Sequence, residues 1–100
     1  MSTIHTQMKG NVLVIKVQGA FNLRAKNMIE SRLRPETNTL RIDLKESRFI
    51  DSEGVIFLHR WQTAGNKLQL LHPPDLFVEI LEILELDDRW DLDEIIIKLI

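Results

Sequence analysis

Apolar residues along this chain change between a spacing of two, typical of strands, and a spacing of three to four, typical of helices. Residues 4–9 and 11–18 predict two strands that form a hairpin through a tight turn at Gly10-Asn11. Residues 12–17 are nearly continuously apolar and rich in valine and isoleucine, which is typical of a strand covered on both faces. We expect Gly19 to end this second strand.

The segment after Gly19 has helical spacing. Asn22 is predicted to cap a first helix that runs to about Leu33, because Pro35 cannot continue a helix. The residues predicted to face inward are Ala25, Met28, Ile29 and Leu33.

A strand, a helix and a further strand follow. Residues 40–44 alternate between apolar and polar and predict the third strand. Ser52 is predicted to begin a second helix that runs to about Ala64, and Gly65-Asn66 closes it before a fourth strand over residues 67–71. The predicted core positions of this helix are Val55, Phe57, Leu58 and Trp61.

The C-terminal third begins at a break, Pro73-Pro74, after which Asp75 is predicted to cap a third helix over residues 76–84. Arg89-Trp90 predicts a brief edge strand. In residues 92–100 the three consecutive isoleucines favour a strand, whereas the spacing of the apolar residues favours a short helix, which is our prediction. The residues predicted on the apolar face of the third helix are Leu76, Phe77, Ile80, Leu81 and Leu84.

This order of elements predicts an α/β fold in one domain over residues 1–100. We expect a four- to five-stranded mixed, mostly parallel sheet with about four helices, three of them after strands. Helices on one face would leave the antiparallel N-terminal strand at the edge of the sheet.

Composition and charge exclude several classes of function. The chain has no cysteine, a net charge of −2 and only four glycines, so we expect no thiolate metal site, no nucleic-acid binding and no nucleotide-binding loop. Its three histidines have no metal-ligand spacing, and we predict neither a metal nor a cofactor. Residues 1–5 lack a signal pattern and no apolar run is long enough to cross a membrane, so we expect a cytoplasmic protein without membrane insertion.

The acidic residues are concentrated at the C-terminal end. Residues 75–100 contain nine acidic and two basic side chains, whereas residues 24–48 contain seven basic and four acidic ones. Such a mixed surface with one acidic end favours docking to another protein over binding to a polyanion.

The junction between the third strand and the second helix, residues 49–55, is the strongest candidate site. Ser52 would present its hydroxyl where a helix leaves free N–H groups and a positive dipole end. A phosphate there would change the local charge by nearly two units without unfolding the domain. The alternative is that Ser52 is only the N-cap of the helix.

Several segments resemble the STAS domain of bacterial anti-sigma-factor antagonists. They are the Asp51-Ser52-x-Gly54 step after the strand at 40–44, Gly19 with the loop and helix that follow, the turn at Gly65-Asn66-Lys67-Leu68, and His72-Pro73-Pro74 before an apolar helix. The resemblance covers nearly the whole chain.

The resemblance implies a non-catalytic binding module that takes part in partner switching. An anti-sigma factor with serine kinase activity would bind the unmodified domain and phosphorylate Ser52, and a serine phosphatase would restore it. The resemblance also implies no catalytic residues, and it places partner binding at Asp51, Ser52, Glu53, Gly54, Phe21 and Asn22.

Two departures from the family pattern leave alternatives open. Glu53 stands where the family often has Ser or Thr, and its permanent charge favours a second role, a constitutive docking subunit of an ABC-type lipid-transport complex without phosphorylation. Phe21 is either an exposed partner contact or a staple packed against the following helix. A small-ligand binder is a third reading, with support from the fold alone.

Overall fold

The computed structural model describes residues 2–86 and 92–97, and its central feature is a five-stranded mixed sheet with strand order β1-β2-β3-β4-β5. β1 pairs antiparallel with β2, and all other neighbours are parallel, so the predicted α/β class is confirmed. The predicted strand at Arg89-Trp90 lies outside the described residues. The elements are β1 (Thr3–Lys9), β2 (Val12–Phe21), α1 (Leu23–Glu30), β3 (Thr39–Ile50), α2 (Ser52–Thr63), β4 (Lys67–Leu71), α3 (Asp75–Ile83), α4 (Leu92–Ile95) and β5 (Ile96–Ile97).

The sheet has one apolar face and one polar face, so the prediction that β2 is covered on both sides is wrong. Leu13, Ile15 and Val17 are buried in the core beneath the helices, whereas Lys16 on the opposite face is exposed. On that face Gln18 donates to the Glu46 carboxylate at 2.7 Å, and the Lys16 ammonium lies 3.3 Å from the same oxygen. Aliphatic content alone does not separate a half-exposed strand from a buried one.

β2 continues beyond Gly19 to Phe21, which corrects the predicted end of the strand. Gly19 has φ of 85°, a conformation that glycine adopts without a steric cost. The pairing with β3 shifts register on both sides of Gln18, between the pairs Lys16↔Asp43, Gln18↔Glu46 and Ala20↔Phe49, so each step advances three residues along β3 and two along β2. These bulges bring the ends of β2 and β3 level, with Phe21 opposite Ile50.

The helix starts confirm the predicted cap of α1 and the predicted first residue of α2, and they correct the predicted cap of α3. Asn22 caps α1, with its side-chain oxygen accepting from the Ala25 N–H at 3.2 Å. In α2 the N-cap is Asp51, and Ser52 is the first helical residue. In α3 the N-cap is Pro74, which makes no side-chain bond, and Asp75 is the first helical residue.

α1 ends at Glu30, three residues before the predicted end. The Ser31 hydroxyl donates to the Met28 carbonyl at 2.6 Å and competes with the helical pattern there. Leu33 still packs against the core from the following turn, as predicted for the inward stripe.

The C-terminal segment contains both of the structures that its sequence favours. Leu92–Ile95 is helical, as predicted, but Ile96–Ile97 forms β5, parallel to β4. β-branched residues beside the free edge of β4 gain ladder hydrogen bonds as a strand, and this outweighs helical spacing. Residues 98–100 lie outside the described part of the chain.

Candidate functional site

The start of α2 lies at the edge of the sheet where the parallel strands β2 and β3 both end. The Asp51 N–H donates to the Phe21 carbonyl at 3.2 Å, which fixes the β3–α2 junction against the end of β2. The carboxyl ends of parallel strands are the usual place for functional residues in α/β folds. Ser52 therefore stands beside the start of α1 as well as at the start of α2.

Asp51 is the residue that orders this junction. Its carboxylate accepts from the Gly54 N–H at 3.0 Å, and its backbone carbonyl accepts from the Val55 N–H at 3.1 Å. The negative charge also lies at the positive end of the helix dipole, which stabilises the first turn. The Asp51 carboxylate is thus already engaged in a hydrogen bond within the domain.

Gly54 allows α2 to approach the end of β2 more closely than any other residue would. A Cβ atom built on Gly54 would lie 2.6 Å from Cδ1 of Phe21 and 2.7 Å from its carbonyl oxygen. Gly54 is buried, so it can serve a partner surface only by holding the first turn of α2 in place.

Ser52 is exposed at the first position of α2. Within the described residues its hydroxyl makes no hydrogen bond, since Asp51 supplies the cap. The N-cap alternative for Ser52 is therefore wrong. The hydroxyl is open to solvent at the start of the helix, where the N–H groups of the first turn favour an anion.

Phe21 is fully buried, with its ring edge against Gly54, and this corrects its predicted role as a direct partner contact. Asn22 is half-buried and uses its side chain to cap α1. Glu53 is exposed next to Ser52. Of the predicted partner residues, Ser52 and Glu53 have the exposed side chains.

Two exposed apolar side chains at this edge were not predicted. Phe49 is 53% exposed at the end of β3, and Leu23 is 49% exposed at the start of α1. The signal for Phe49 is present in the sequence, because the alternation of a strand turns it outward once Ile50 is buried. No comparable pattern predicts the exposure of Leu23, because it is the first residue of α1 and directly follows the N-cap.

The loop after β4 is held to the same end of β3. One guanidinium nitrogen of Arg48 donates to the His72 carbonyl at 3.0 Å. His72 adopts φ of 54° just before Pro73-Pro74, so this contact supports a backbone conformation that is unfavourable for a histidine.

The match to a protein family agrees with this fold. Residues 4–98 match the family model described as "Mlab, STAS domain". Because the match covers nearly the whole chain, the protein belongs to the STAS domain family. A comparison with curated protein sequences found no match.

Solved structures with a similar fold include two of the anti-sigma factor antagonist SpoIIAA. The unphosphorylated form has a TM-score of 0.68 at 14% identity, covering 98% of this chain and 90% of that one. The phosphorylated form, from Bacillus, has a TM-score of 0.69 at 15% identity, covering 98% and 92%. An anti-sigma factor antagonist from Mycobacterium paratuberculosis has a TM-score of 0.67 at 16% identity, covering 91% and 84%. At these identities the likeness establishes the fold.

In the part of the chain that the structure describes, the helices are 4 to 12 residues long. Within that part of the chain, no helix is long and apolar enough to span a membrane. The same residues contain no group of three or more His, Asp or Glu side chains placed to hold a metal ion.

Proposed function

We propose that this protein is an anti-sigma-factor antagonist, a non-catalytic binding module of the cytoplasm that is controlled by reversible phosphorylation of Ser52. The observation that carries the proposal is the exposed Ser52 hydroxyl, which is free of any capping role at the start of α2. The likeness in fold to the unphosphorylated and phosphorylated forms of SpoIIAA supports it. The partners would be an anti-sigma factor with serine kinase activity and a serine phosphatase.

The partner surface of this proposal consists of Leu23, Phe49, Ser52 and Glu53. The two apolar side chains are exposed and would be desolvated on binding, which favours association. Ser52 and Glu53 form the polar part of the same edge.

Phosphorylation would release the partner through charge. A phosphoserine carries a charge of about −1.5 to −2 and would join the carboxylates of Asp51 and Glu53. Inside the domain, the first-turn N–H groups and the helix dipole offset this charge by about 0.3–1 kcal/mol. An interface that covers Ser52 provides no comparable stabilisation of the phosphate charge. The partner therefore dissociates while the domain stays folded.

The first test is the intact mass of the protein purified from its native cells, before and after treatment with a serine phosphatase. We expect a removable increment of one phosphate that maps to Ser52. If no increment is found under several growth and stress conditions, phosphorylation control is wrong.

The second test uses as the binding partner a serine kinase that copurifies with the unphosphorylated protein. Ser52→Asp should abolish binding with the melting temperature unchanged, whereas Ser31→Asp adds the same charge at an exposed serine elsewhere and should leave binding intact. Leu23→Ser and Phe49→Ser should weaken binding, and Ile83→Ser is their control because Ile83 is 76% exposed on α3. Equal effects of all these changes would contradict the assigned surface.

A second function is favoured by one observation, the permanent charge of Glu53 beside Ser52. It is a constitutive docking subunit of an ABC-type lipid-transport complex, in which Ser52 is never modified. The description of the matching family, "Mlab, STAS domain", names no sigma factor. An ATPase that copurifies with unphosphorylated protein in every growth condition would favour this function over the first.

A further inference from the structure

A groove between α1 and α2 lies outside the partner surface for most of its length. Its volume is about 240 Å³, and it extends along α2 from Glu53 to Ala64. Pockets for drug-sized ligands measure roughly 300–1,000 Å³, so this groove has room for a smaller molecule. Its apolar lining consists of Leu33, Ile56, Phe57, Trp61 and Ala64.

Trp61 gives the groove a wall that is fixed before any ligand binds. Its indole N–H donates to the Lys67 carbonyl at 2.7 Å, which holds the half-buried ring between α2 and β4. An aromatic ring held in this way loses little conformational entropy when a ligand packs on it. The hydrogen bond to Lys67 therefore also holds the Trp61 ring in place as a surface on which a ligand can pack.

Two cations line the groove, and they differ in their partners. The Lys26 ammonium lies 2.8 Å from the Glu30 carboxylate, so its charge is paired within α1. Arg60 is exposed, and no carboxylate of the described residues lies within ion-pair distance of its guanidinium. Arg60 is thus the cation that remains available to a ligand.

Neither acidic residue of the groove forms an ion pair with this cation. Glu30 is engaged by Lys26, and Glu53 is seven residues before Arg60, about 10 Å along the helix axis. Residues 53, 56, 57 and 60 have the spacing of one helical face, so the apolar residues separate Glu53 from Arg60. The groove is apolar along its middle and cationic towards the C-terminal end of α2.

We propose that this groove is a binding site for a compact aromatic or aliphatic carboxylic acid. The apolar body of the ligand packs on Trp61 and Ile56, and its carboxylate accepts hydrogen bonds from the Arg60 guanidinium. Arginine donors match a carboxylate in charge and in planar geometry. This site meets the partner surface only at Glu53, which is about 10 Å along the helix axis from Arg60, and it does not depend on the proposed function.

The test compares indole-3-acetate with neutral indole-3-acetamide, which has the same shape, by ¹H–¹⁵N correlation spectra of the full chain. We expect saturable shifts at Ile56, Phe57, Arg60 and Trp61. A charge-assisted hydrogen bond contributes about 1.5 kcal/mol or more, so the acid should bind about tenfold more tightly than the amide.

Two variants separate the charge from the cavity, and each spectrum also reports whether the variant is folded. Arg60→Gln should make the acid bind no better than the amide, whereas Arg24→Gln removes an exposed cation that does not line the groove and should change nothing. Ala64→Leu fills the groove and should abolish binding of both probes. Asn27→Leu adds bulk on the exposed side of α1 and is its control.

The proposal is overturned if indole-3-acetate causes no saturable shift up to about 10 mM, a concentration that detects even very weak binding. It is also overturned if the acid and the amide bind equally to the unmodified protein, or if the shifts map outside the groove. None of these results bears on Ser52, so the two proposals fail independently.

Discussion

At the scale of single residues, the geometry of the candidate site depends on Gly54. Its Cα faces the ring and the carbonyl oxygen of Phe21, and the Cβ distances of 2.6 and 2.7 Å leave no space for a methyl group. The ring is fully buried and the oxygen belongs to a strand, so neither can move aside cheaply. The first turn of α2 would move instead.

Gly54→Ala should therefore destabilise the protein by about 1–3 kcal/mol, although alanine is the better helix former. Urea unfolding measures the change. Glu53→Ala, one residue earlier in the same turn and exposed, is the control and should stay within about 0.5 kcal/mol of the unmodified protein. Stabilisation by Gly54→Ala would show that the close approach is not present in solution.

Substitutions of Asp51 and Ser52 test which of the two residues caps α2. Asp51→Ala should cost about 1 kcal/mol, because the Gly54 N–H loses its acceptor. Ser52→Ala should cost less than about 0.5 kcal/mol, because the serine hydroxyl caps nothing among the described residues. Urea unfolding of both variants measures these losses of stability. An equal loss in the two variants would indicate that the Ser52 hydroxyl also caps the helix.

At the scale of elements, the end of α3 has good hydrogen bonding and an unfavourable residue. The Leu86 N–H donates to the Leu81 carbonyl at 2.9 Å, and the Glu85 N–H donates to the Glu82 carbonyl at 3.1 Å. This pair of bonds is a Schellman motif, in which glycine is the usual residue at the left-handed position. Here that position is Glu85, with φ of 58°.

Glu85→Gly should stabilise the protein by about 0.5–1 kcal/mol, because relief of the left-handed strain exceeds the extra entropy of the unfolded chain. It also removes a negative charge from the negative end of the helix dipole. Thermal unfolding measures the shift. Glu82→Gly, inside α3, removes the same side chain from a helical position and should destabilise by about 1 kcal/mol. A destabilising Glu85→Gly would contradict this account of the motif.

At the scale of the whole molecule, the two faces of the sheet have different chemistry. The core lies on the helix-covered face, while on the open face a polar network crosses β1, β2 and β3. Thr3 donates to the Gln18 side-chain oxygen at 3.1 Å, and Gln18 in turn donates to Glu46. Neighbouring strands are thus joined by side-chain hydrogen bonds as well as by the backbone hydrogen bonds of the sheet.

The pKa of Glu46 reports on this network. The hydrogen bond from Gln18 and then the contact with Lys16 hold the pKa of the Glu46 carboxyl below its ordinary value. Gln18→Ala and Lys16→Ala should each raise this pKa towards the ordinary value, as measured by NMR titration. An unchanged pKa in both variants would contradict the contacts assigned to Glu46.

The sign of the pH dependence follows from this direction. A carboxyl whose pKa is lower in the folded state contributes stability above its unfolded pKa, and the contribution disappears as the pH falls through the folded pKa. Because Glu46 is exposed to screening by solvent, we expect a small loss of stability under acidic conditions.

The sequence by itself determined the order of strands and helices as far as α3, the α/β class and the family, because periodicity, caps and turn residues are properties of neighbouring residues. It also identified Ser52 as the hydroxyl at the start of α2. It did not determine which residue caps that helix, since Asp51 and Ser52 are both suitable.

Only the tertiary structure decided what lies around Ser52. The bulges in the β2–β3 pairing place Phe21 opposite Ile50, where both side chains are buried, and they depend on contacts between residues far apart in the sequence. The same holds for β5, where the free edge of β4 makes a strand of two isoleucines within a helical pattern. The groove beside Trp61 likewise forms only when α1, α2 and the start of β4 come together. Local patterns specify elements, but burial, register and cavities are set by which elements meet.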